Sequence, residues 1–134
     1  MKQVLQPEGW ARPRGYANGI AARGRQVFIA GQIGWDAQCQ FHTDSMAGQL
    51  RQVLQNIVAV LAEAGGRPEH LVRLTWYITS RDEYNAELRD IGAAYRDVLG
   101  RNFPVMAVVQ VVALIEPRAK VEIEATAVIP DETG

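Results

Sequence analysis

The sequence predicts an α+β domain of six strands and two helices, and three observations carry that reading. Two stretches, 44–64 and 81–99, repeat apolar residues three and four positions apart, as a half-buried helix does. Runs rich in branched and aromatic residues lie before, between and after them. The length of 134 residues, with 48% apolar and 22% charged side chains, suits one soluble globular domain spanning 1–134.

Residues 6–19 hold Pro7, Gly9, Pro13, Gly15 and Gly19, so an irregular approach segment is expected, docked by Trp10 and Tyr16. A short strand is allowed before it. From Ile20 to Ile33 the pattern reads as a strand pair, with Arg23-Gly24-Arg25 as the tight turn. Met46, Leu50, Val53, Leu54, Ile57, Val58 and Leu61 form one stripe on the first helix. Asp44 or Ser45 can accept its free amide hydrogens, and Gly65-Gly66 can end it in a left-handed conformation.

Leu71 to Ile78 reads as a strand. Ser80-Arg81-Asp82-Glu83 then has the form of a capping box, in which serine and glutamate satisfy each other's backbone donors. Tyr84, Leu88, Ile91, Tyr95 and Val98 make the second stripe, and Gly100 ends it. Two strands close the chain, over about 105–112 and 119–129, joined through Pro117. Two helices cover only one face of such a sheet. Yet Val105, Ala107, Val109 and Val111 point one way while Met106, Val108 and Val112 point the other, so both faces are apolar. The uncovered face needs burial, and a second subunit is the simplest cover.

Bulk properties exclude several function classes. A net charge of −1 supplies no field for a phosphate backbone, which disfavours nucleic acid as a partner. The single Cys39 forms no internal disulfide, the start has no long apolar run before a cleavage site, and no stretch approaches the ~20 apolar residues of a membrane span. A cytoplasmic protein is expected, without membrane partners. Neither a Walker loop nor Gly-x-Gly-x-x-Gly is present, so no cofactor is implied. Cys39 and His42 are two possible metal ligands in a loop, but His70 is the only other histidine or cysteine, and no metal site is expected. Asp82, Glu83 and Glu87 read as a solvated helix face.

The chemistry concentrates in Phe103 to Val128. Lys120-Val121-Glu122-Ile123-Glu124-Ala125 places two carboxylates on one face of an otherwise apolar strand. The face is either wet, or it holds a partly desolvated carboxylate able to polarise a water. Gly31-Gln32-Ile33 ends an earlier strand with a glycine that permits close backbone approach to a ligand. Phe103-Pro104-Val105-Met106-Ala107 opens the penultimate strand, and Tyr16 sits in Arg14-Gly15-Tyr16-Ala17.

Together these segments resemble the Rid family (reactive intermediate deaminase, also called YjgF or L-PSP), over essentially the whole chain. The resemblance implies a chorismate-mutase-like α+β fold: a six-stranded mixed sheet with two helices on one face, assembled as a homotrimer with inter-subunit clefts. It implies hydrolysis of an enamine or imine metabolite to a carbonyl compound and ammonia. Glu122 aligns with the glutamate that holds the catalytic water, which leaves Glu124 structural or interfacial. Gly31 aligns with a glycine whose backbone contacts substrate, Val108 with a residue whose amide does so, and Tyr16 with a tyrosine of the pocket wall. Gly15 stands where the family has proline. Trp35, just after Gly31-Gln32-Ile33-Gly34, is a further candidate wall residue.

A second departure bears on the substrate. Where the family carries an arginine that grips the substrate carboxylate, this chain has Met106. Methionine brings no charge, and losing such a buried bidentate contact costs on the order of 2–5 kcal/mol. A less charged or more hydrophobic ligand is therefore expected, with Arg14 or Arg118 as possible displaced cations. The alternative function is a non-catalytic small-molecule-binding trimer that kept the clefts and lost the chemistry. The family's older name, endoribonuclease or translation inhibitor, fits less well with a near-neutral chain lacking a basic aromatic strip.

Overall fold

In the computed structural model, residues 2–131 are described. Six strands and three helices follow in the order β1 (Lys2–Leu5), β2 (Gly19–Ala22), β3 (Arg25–Ile33), α1 (Met46–Glu63), β4 (Leu71–Ile78), α2 (Arg81–Ala86), α3 (Leu88–Leu99), β5 (Val105–Gln110) and β6 (Val121–Ile129), with one 3₁₀ turn at Pro68–His70.

The α+β class and the six strands agree with the sequence, but the strands do not form one sheet. β1 and β2 make a two-stranded antiparallel ribbon, and β3-β6-β4-β5 make the main sheet. The expected hairpin over 20–33 is therefore corrected, because β2 pairs with β1 while β3 pairs with β6. Gly24 allows the chain to change sheets: it has φ +149°, and a Cβ there would lie 3.1 Å from the Pro130 Cα. Only glycine adopts that conformation at little cost. The main sheet is mixed, since β6 runs antiparallel to both neighbours and β4 and β5 are parallel.

α1 forms as its stripe predicts. Met46, Leu50, Val53, Leu54, Ile57 and Leu61 are buried, Ser45 Oγ accepts from Gly48 N at 2.9 Å, and Gly65 (φ +79°) ends the helix. The amides of Gly65 and Gly66 return to Ala62 O and Leu61 O, the Schellman pattern that satisfies terminal carbonyls. The second helical stretch breaks at Glu87 into α2 and α3. Glu87 is not a solvated-face residue. Its carboxylate accepts from Ala47 N at 3.0 Å and Met46 N at 3.4 Å, an anion set on the positive end of α1. Ser80 caps α2 as expected, whereas Glu83 pairs with Lys120 Nζ at 2.7 Å.

α1 and α3 pack on one face of the main sheet, burying Ile29, Leu71, Leu74, Trp76, Ile78, Val121, Ile123, Ala125 and Ala127 against the helices. The other face has no covering element among the described residues. It carries Phe28, 73% exposed, and Val109, 44% exposed, beside Tyr77, Glu122 and Glu124.

Candidate functional site

Strand register divides the predicted site residues into two groups. Met106 pairs with Leu74, and Leu74 with Ala125, so all three lie on the helix-covered face. Glu122 pairs with Tyr77 on one side and Ile33 on the other, which puts it on the open face. Within one chain, Met106 and Glu122 are therefore separated by the thickness of the sheet.

The Glu122 group is built by a bulge. The β3–β6 register slips between Ile29 and Gln32, the kind of irregularity that re-aims a strand. Gly31 sits in that slip, and a Cβ there would come within 2.9 Å of the Glu122 carboxyl carbon. Only a residue without a side chain leaves the carboxylate its space. Glu122 is half-buried, and its carboxylate makes no hydrogen bond or ion pair among the described residues. Glu124, by contrast, accepts from Tyr77 Oη at 2.8 Å, and that hydrogen bond holds the Tyr77 phenol above the usual tyrosine range. Among the described residues the two carboxylates thus differ: that of Glu124 is committed to a neighbour and that of Glu122 is free.

The Met106 group lines a cavity of about 540 Å³ between β5, α3 and the segment before β2. Tyr16, Trp76, Tyr84, Tyr95, Phe103 and Val108 are part of its wall. Trp76 stacks on Tyr95 with centroids 6.3 Å apart, and Tyr95 on Phe103 at 5.8 Å. Burial raises the Tyr95 phenol well above its ordinary range; its hydroxyl donates to Asn102 O. Trp76 Nε1 is buried without a hydrogen-bond partner among the described residues.

β5 is the edge of the sheet, and among the described residues it is bridged on its outer side only by Ala17, at Val105. Val111 N donates inward to Ile78 O at 2.8 Å, and Pro104 O accepts from Ala17 N on the outer side. Alternation along a strand then turns the amide of Val108 outward to the open edge, available to a ligand. Tyr16 and Val108 thus stand together with Met106.

Trp35 stands apart from the cavity. It packs on Phe41 with centroids 5.9 Å apart, and its carbonyl accepts from Asn56 Nδ2. The loop that follows is organised by Asp36, which accepts from the amides of Gln38 and Gln40 and contacts His42 Nε2 at 2.6 Å. The His42 contact, then these amides, hold the Asp36 carboxyl below its ordinary range. Of the two arginines considered as displaced cations, Arg118 is engaged elsewhere, ion-paired to Asp44 at 2.9 Å and stacked over Phe41. Arg14 lines the cavity, and so does Arg96 of α3, which the sequence pattern did not single out.

The endoribonuclease L-PSP family model matches residues 11–129. With the bulged glycine, the free carboxylate and this strand order, that places the chain in the endoribonuclease L-PSP family, also called YjgF or Rid. A RutC family protein of Pyrococcus horikoshii is 33% identical over 129 residues, covering 95% of this chain and 98% of its own length. The TdcF protein of Escherichia coli, provisionally named a reactive intermediate deaminase, is 28% identical over 96% of this chain and 98% of its own. A Rid family protein of unknown function from Yersinia pestis superposes with a TM-score of 0.84 at 31% identity, covering 96% of this chain and 98% of that one. Among the described residues no helix is long and apolar enough to cross a membrane.

Proposed function

We propose that this protein hydrolyses an enamine or imine to a carbonyl compound and ammonia, at sites each completed by two protomers of a homotrimer. Glu122 and Gly31 come from one protomer; Met106, Val108, Tyr16 and the aromatic cavity come from the next. Water, its proton accepted by the Glu122 carboxylate, adds to the C=N carbon. Glu122 then returns that proton to the carbinolamine nitrogen and takes up the hydroxyl proton as the C–N bond breaks, leaving the carbonyl compound and ammonia and passing the last proton to solvent. An iminium carbon is already electrophilic, so positioning and one proton acceptor suffice. Met106 supplies no charge, so the substrate carries less charge beside its reacting carbon than a 2-imino acid does.

The observation that carries this reading is the Glu122 carboxylate, half-buried, unpartnered and held against Gly31. Division of the residues between two sheet faces supports assembly across protomers, as do the exposed Phe28 and Val109 on the Glu122 face. The test is ammonia release from imines generated in situ. A sharp fall in Glu122→Ala is expected, and a purified oligomer that accelerates hydrolysis of no imine, charged or neutral, refutes the reading.

Met106 also favours a second reading, a binding protein that kept the clefts without the chemistry. Ligand-induced thermal stabilisation with no turnover of any imine distinguishes it.

A further inference from the structure

The cavity behind Met106 is apolar in its walls and cationic in its charge. Among the described residues its lining includes Arg14 from the segment before β2 and Arg96 from α3, and no Asp or Glu. Neither arginine forms an ion pair or side-chain hydrogen bond among the described residues. Two unneutralised guanidiniums beside stacked aromatic rings suit a flat apolar body that ends in an anion.

Gly92 gives this arrangement a local cause. Glycine inside a helix costs about 1 kcal/mol relative to alanine. Among the described residues, and apart from the helix's own backbone, a Cβ at position 92 would meet Arg96 Nη1 at 3.3 Å. Gly92 and Arg96 are one helical turn apart and both line the cavity. The bare position leaves Arg96 room along α3 at the cavity wall, and a methyl group there would ask its guanidinium to give by only a few tenths of an ångström.

We infer that the site takes a ligand with an aromatic or bulky apolar body and one anionic group remote from the reacting carbon, read by Arg14 and Arg96. This rests on the hydrolytic reading above, in which the cavity seats the substrate. It also refines what Met106 means. Negative charge is removed from beside the C=N carbon and accepted at the far end of an apolar spacer. The volume of about 540 Å³ is in the range of small-molecule pockets and ample for a phenylpropyl group.

The test is calorimetric titration of the purified protein with 3-phenylpropionate, its neutral analogue 3-phenylpropanamide, and propionate. The acid should bind tighter than the amide, and propionate far more weakly than either. Arg14→Gln and Arg96→Gln should each weaken the acid on the order of tenfold and leave the amide unchanged. Both side chains are exposed, so these variants should fold as the parent does. Equal binding of acid and amide, or arginine variants that bind the acid as the parent does, overturns the inference.

The two proposals fail separately. Glu122→Gln should retain the preference for the acid while losing hydrolysis. If the preference holds and no imine is hydrolysed, the hydrolytic reading falls and the ligand class stands. If imines are hydrolysed without that preference, the ligand class falls alone.

Discussion

Gly31 and Glu122 occupy one another's space: the carboxyl group of Glu122 fills the volume that a side chain at position 31 would need. Gly31→Ala should therefore act on Glu122. The new methyl group displaces the carboxylate, and a misplacement near 1 Å costs about 100-fold in rate. Expected is a fall in kcat of that order with a small change in melting temperature, read from imine turnover and thermal unfolding. A variant with parental kcat would show that the Glu122 position is not used in the reaction.

Met106→Arg restores the family's guanidinium in a cavity that already holds two. Small 2-imino acids, whose carboxylate adjoins the reacting carbon, should gain activity by roughly 10-fold or more. Met106 packs against the core, so a loss of about 1–3 kcal/mol in stability should accompany the gain. The measurement is kcat/KM for 2-iminopropionate generated in situ against an uncharged imine. An unchanged ratio would mean that the missing arginine is not what sets substrate charge.

Gln49 is fully buried and bonds to three backbone groups: Thr43 O at 3.2 Å, Arg118 O at 3.0 Å and Lys120 N at 2.8 Å. It ties the loop before α1 to the turn before β6. Gln49→Ala strands those groups away from water, and roughly 2–4 kcal/mol of stability should be lost. Denaturant titration reads it, and a loss below about 1 kcal/mol would show that water replaces the amide.

Tyr95 sets a limit at high pH. Its folded-state pKa is raised by burial, so the neutral phenol is favoured in the native state. The unfolded chain ionises near pH 10 and then binds fewer protons than the folded one. The contribution of Tyr95 is therefore complete below about pH 10 and is lost as pH rises toward the folded value. Tyr95→Phe should lose about 1 kcal/mol at pH 7, from the bond to Asn102 O, yet fall less steeply above pH 10. Denaturation midpoints of both proteins from pH 8 to 11 check it, and parallel curves would assign the alkaline loss elsewhere.

What could be read beforehand followed the range of the interactions. α1 was legible because Met46 to Leu61 repeat with the helical period and Ser45 and Gly65 mark the ends, all of it local information. Glu122 was separable from Glu124 only through resemblance. The bond that commits Glu124 to Tyr77 depends on the pairing of β4 with β6, which no spacing reveals. The hairpin over 20–33 failed for the same reason: β3 finds its partner about a hundred residues later. Glu87 looked like a solvated carboxylate because α1, whose amides it accepts, is forty residues away. Alternation assigned Met106 and Glu122 to faces of their own strands. Only the register across β4 shows that those faces are opposite.

The Trp76, Tyr95 and Phe103 rings are held with interplanar angles of 16° and 5° in the wall of the cavity. Chromophores fixed in one asymmetric array give the near-ultraviolet circular dichroism that marks rigid packing. The protein thus carries its own optical label at the place where a ligand would sit. Occupancy could be followed by light alone, on the native chain, without a dye or a coupled assay.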